Sequence, residues 1–271
     1  MAGNNKNKDR RSKLVDALGS FLEEQAEKGK LLIEHSIGLG PKPNVIPPGP
    51  ASVNGQLRTV HIGWHPVAGF GGKWFAEKTG LGKMITENIN NYPDPTQHWA
   101  VLVDDYVHQL WMDENLDVIY INEKLVPSEW TMFPVGKTRF NDEALRQAGE
   151  MTIHNMRAKK PGYNLISNNC QNFALALLEA IQIGAHKKFA TSFAVYQRVT
   201  GLGSITDLFA DDPAVDQQKL DEEEDANADA DDPDRPPKLQ HTNTMQTAEQ
   251  VMAQNTNKVE KRNFLGFLRR S

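Results

Sequence analysis

Cys170 is the only cysteine in 271 residues. It stands where Asn168 and Asn169 run into an apolar stretch, QNFALALLEAIQ. A thiol attacks a carbonyl carbon well only as thiolate, and a free thiol ionises near about pH 8.5. The start of a helix favours the anion through its unpaired N–H groups and the positive end of its dipole. Those same groups, around Asn169 and Gln171, suit an oxyanion or an orienting role. The proton needs an acceptor, and two histidines qualify, His98 in HWAVLV and His108 in YVHQLW. A histidine on a neighbouring strand takes the proton, and a further polar group fixes its tautomer. The plain alternative is a buried cysteine that only packs.

The elements that must position these residues can be read from periodicity. In RTVHIGWHP, Val60, Ile62 and Trp64 alternate with polar residues, as in a half-buried strand. The glycine-rich GFGG (69–72) reads as a turn, and residues 73–90 as a helix or covering loop. Trp99, Val101 and Val103 form one strand, Asp104–Asp105 a turn, and Tyr106–Trp111 a second strand, together a hairpin. Asn141 or Asp142 caps a helix with Ala144, Leu145, Ala148, Met151, Ile153 and Met156 on its apolar side. Pro161–Gly162 ends it. The Cys170 helix carries Phe173, Leu175, Leu177, Leu178 and Ile181, and residues 187–210 hold one more helix. The fold class is α+β, a small antiparallel sheet packed with helices.

Outside this middle, residues 1–37 read as a basic tail followed by an amphipathic helix from Ser12. Residues 38–56 read as a Pro/Gly linker or extended arm, and 57–210 as the thiol domain. Residues 211–271 read as an acidic disordered tail ending in a short basic and apolar motif.

The strings carry a family likeness. HWAVLV, followed ten residues later by His108, resembles the HWA strand and second histidine of the lecithin retinol acyltransferase family. YNLISNNCQNF resembles that family's nucleophile segment, with Tyr163 seven residues before Cys170. The same tyrosine–cysteine spacing and Asn-Cys pair occur in the PPPDE group of desumoylating isopeptidases. The resemblance covers roughly residues 57–185. It implies a circularly permuted papain-like (NlpC-like) fold, with histidine ahead of cysteine. It also implies Cys170 as nucleophile, His98 as general base and His108 as third member. The expected activity is that of a thiol-dependent acyl-bond hydrolase or acyltransferase. The alternatives are a desumoylating or deubiquitinating isopeptidase, and a non-catalytic binding module on the same fold. An apolar groove near Trp74, Trp99 and Trp111 would favour acyl chains.

Partners and compartment follow from composition. A net charge of -5 gives no general pull toward nucleic acid. The expected partner is an acyl lipid or a protein conjugate, with weak membrane or protein contact through residues 261–271. One cysteine fits a reducing compartment, and no run approaches the roughly 18 apolar residues of a span. The expectation is cytoplasmic, with peripheral membrane contact as the variant. No cofactor or metal is expected: His61 and His65 fall on one strand face without further ligands at zinc spacing.

Overall fold

The computed structural model describes residues 42–66, 91–93, 97–113, 115, 117–163, 168–210 and 244–260. The helix expected from Ser12, the GFGG turn, the 73–90 segment, Trp74 and the motif at 261–271 lie outside them.

The chain forms β1 (Arg58–Pro66), β2 (Asn91–Pro93), β3 (Gln97–Val103), β4 (Tyr106–Met112), β5 (Val118–Lys124) and β6 (Thr131–Thr138). Then come α1 (Asp142–Lys159), α2 (Cys170–Ile181), α3 (His186–Thr200), α4 (Thr244–Asn255) and β7 (Lys258–Glu260). Five strands make one antiparallel sheet in the order β5-β4-β3-β1-β6. A separate two-stranded ribbon pairs β2 with β7. The architecture is the expected α+β, with helices on one face of a small sheet.

Alternation along the strands decides which face each residue serves. Val60 and Ile62 of β1, Trp99, Val101 and Val103 of β3, and Leu110 of β4 face the helices, where they join Ala144, Leu145, Phe173 and Leu177 in the main core. Their neighbours Ala100, Leu102 and Val107 form a smaller cluster on the other face, against Trp130 and Met132. The β3–β4 turn places Asp104 at φ 46, a left-handed conformation that aspartate tolerates better than most side chains.

The helices start and stop where their residues dictate. Asn141 caps α1, its side chain accepting the Ala144 N–H at 2.9 Å. Asn169 caps α2 in a reciprocal capping box with Asn172. Gly201, at φ 69, closes α3 in the left-handed conformation that glycine adopts freely.

Both presumed appendages reach into the fold. The Pro/Gly arm has no regular structure over 42–50, but Ile46, Ala51 and Val53 are buried. Asn122 Oδ1 accepts the Val45 and Ile46 N–H groups, each at 2.8 Å. The reading of 211–271 as disordered fails for 244–260. Helix α4 buries Ala248 and Met252 in the main core.

Candidate functional site

The sheet divides at the site. The β3–β4 ladder runs only from Val103–Tyr106 to Val101–His108. Beyond that point β3 continues beside β1 to Gln97, and β4 continues beside β5 to Met112. The ends of the two strands, from Ala100 to Gln97 and from Gln109 to Met112, therefore flank a split, with His98 on the first.

Cys170 enters from the helix side. It is the first residue of α2 and is 7% exposed. The backbone N–H groups of Trp99, Gln171 and Cys170 itself lie close enough to its sulfur to favour the anion. Burial outweighs them and pushes the thiol up to about 11. The expected thiolate preference of a helix start is present, but desolvation is larger. Tyr163 shares the pocket. Burial first, and the neighbouring thiol second, raise its phenol well above the usual range.

The side chains of Asn169 and Gln171 each make a hydrogen bond within the fold. Asn169 accepts the Asn172 N–H at 2.9 Å as the helix cap. The Gln171 side chain donates to Thr256 Oγ1 at 2.8 Å. The groups that favour the sulfur's anion are backbone N–H groups. Asn168 ties the nucleophile segment down by donating to the carbonyls of Lys160 and Gly162, at 2.9 and 2.8 Å.

The two histidines take opposite faces. His98 leaves β3 on the face away from α2, beside His65 and Trp130 at ring-centroid distances of 5.4 and 6.2 Å. Its Nε2 lies 2.6 Å from Gln109 Oε1. Burial first, and the neighbouring His65 next, pull its imidazole down to about 3. His108 lies on the helix face, 0% exposed, with Nδ1 2.7 Å from the Tyr120 hydroxyl. Its Nε2 is buried without a hydrogen-bond partner among the described residues. Burial holds this ring near 3 as well. No hydrogen bond among the described residues joins the Cys170 sulfur to either ring.

Three residues that the motifs did not indicate complete the geometry. Gln109 Nε2 donates to Glu123 Oε1 at 2.5 Å. The other Glu123 oxygen accepts from Lys42, whose ammonium also sits 4.7 Å from the centre of the Trp111 ring. Gln109 was legible in principle, since it shares the face of His98 by strand parity. Lys42 was not, because nothing local ties it to β5.

Trp99 and Trp111 do not share a groove. Trp99 faces the helix-side core, whereas Trp111, one residue off in parity from Leu110, lies under Lys42 on the other face. Among the described residues no group of three or more His, Cys, Asp or Glu is arranged to hold a metal ion. Among them, too, no helix is long and apolar enough to cross a membrane.

No protein-family model matches the chain, and neither a curated protein nor a solved structure matches it.

Proposed function

We propose that the protein is a thiol-dependent acyl-bond hydrolase or acyltransferase on a permuted papain-like fold, with Cys170 as nucleophile and His98 as base. One observation carries the reading. Cys170 opens α2 with three backbone N–H groups around its sulfur, at the split whose far side holds a hydrogen-bonded neutral imidazole. A thiol raised to about 11 and an imidazole lowered to about 3 do not rest as an ion pair. His98 instead removes the proton as sulfur attacks the carbonyl carbon. The backbone N–H groups receive the developing oxyanion. The proton passes from His98 to the leaving group as its bond breaks. Water or an acceptor then attacks the thioester with the same base, returning the proton to sulfur.

A protein isopeptide is the second reading of the substrate. His108, which resembles the second histidine of the acyltransferase family, has its ring enclosed with Tyr120. A panel of a phospholipid, an acyl thioester and a SUMO conjugate separates the classes. Turnover of one of them, lost in Cys170→Ala, is the expected result. Equal turnover by Cys170→Ala, or none with any substrate, leaves a binding module.

A further inference from the structure

We propose that Gln109, and not His108, is the positioning residue of the His98 base, holding the neutral ring with its proton on Nε2 and its lone pair on Nδ1. This rests on the thiol reading above. The direction of each hydrogen bond follows from chemistry. An ionised carboxylate only accepts, so the Glu123 oxygen 2.5 Å from the Gln109 amide nitrogen fixes that end as NH2. The amide oxygen must then face His98, and it too only accepts. Nε2 is therefore the donor, and Nδ1 carries the basic lone pair. Among the described residues no hydrogen bond occupies Nδ1.

The amide orientation is itself held from behind. Lys42, on the arm, pairs with the second Glu123 oxygen. The arm is fastened beside it, with Asn44 Oδ1 accepting the Asn122 N–H at 2.8 Å. Glu123 thus accepts from Lys42 on one side and from Gln109 on the other, which leaves the Gln109 oxygen to accept from His98. His108 has no part in it. It lies on the other face, its Nδ1 committed to Tyr120.

When His98 takes the thiol proton, its Nε2–H bond to Gln109 becomes charge-assisted. Glu123 behind the amide favours the new cation, while Lys42 opposes it. Gln109 touches neither sulfur nor substrate, and it acts through the ring.

The tautomer can be read directly by 1H–15N correlation of the imidazole nitrogens in the full-length protein at neutral pH. A protonated Nε2 and a bare Nδ1 on His98 are expected. A protonated Nδ1 overturns the proposal without any variant. Gln109→Met should scramble the tautomer and slow Cys170 acylation by hexanoyl-N-acetylcysteamine, a small thioester, about tenfold or more with KM little changed. The exchange Gln109→Glu together with Glu123→Gln reverses the bond between the two but keeps an acceptor facing His98 Nε2, and should recover the rate. Failure of the exchange to recover it, with the fold intact by circular dichroism, also overturns the proposal. Acylation unchanged in His98→Ala would instead sink the thiol site, whatever the tautomer.

Discussion

His108 and Gln109 are consecutive on β4, and strand parity sends them to opposite faces. That one step separates a residue enclosed with Tyr120 from one that grips His98. Motif spacing drew attention to His108 because histidine is the rarer and more reactive type. In the fold it is fully buried, with Nδ1 on the Tyr120 hydroxyl. Replacing it tests the difference: His108→Leu loses one hydrogen bond but also removes an orphaned buried nitrogen. Stability should change by no more than about 1–2 kcal/mol in urea unfolding. Cys170 acylation should be unaffected in the folded variant. A loss of about a hundredfold or more would make His108 the third member after all.

At the scale of elements, the hairpin, the Asn141-capped helix and the Cys170 helix were legible because each signal is local. Alternating Trp99, Val101 and Val103 specified a strand, and an asparagine before an apolar run specified a helix start. The split between β3 and β4 was not legible, since both strands read as continuous. Helix α4 was missed because its docking is non-local. Gly136 of β6 meets Thr244 so closely that a Cβ added there would lie 2.3 Å from Thr244 Oγ1. Gly136→Ala should therefore weaken the docking of α4 and cost about 1–3 kcal/mol. Hydrogen exchange over 244–255 should rise, and adding Thr244→Ala should reverse part of the effect. Unchanged exchange in Gly136→Ala would mean that the helix docks without this close approach.

For the whole molecule, both the arm and the C-terminal segment reach the site. Lys42 ends the chain of bonds from His98. Gln97 and Gln171, the neighbours of His98 and Cys170, both bond residues 255–257. The catalytic reading therefore belongs to the full chain rather than to residues 57–210 alone. Stability should follow pH in a matching way. His98 and His108 are both lowered to about 3 in the fold, against about 6.5 when unfolded. The unfolded state binds more protons below that value, so stability should fall as pH drops from about 6.5 toward 3, by several kcal/mol on the order of magnitude. Cys170 has the opposite sign of pH dependence. Its raised thiol keeps its proton to about 11, so stability should also fall as pH rises past about 9. Thermal unfolding across this range measures both limbs, and a flat profile between pH 6.5 and 4 would contradict the buried neutral rings. The central claim is that Cys170 is acylated with His98 as base. Intact-mass measurement of single-turnover acylation by the thioester tests it most directly. The account predicts one acyl group on Cys170, none in Cys170→Ala, and formation slowed about a hundredfold or more in His98→Ala. No adduct on Cys170, or an equal rate without His98, would contradict it.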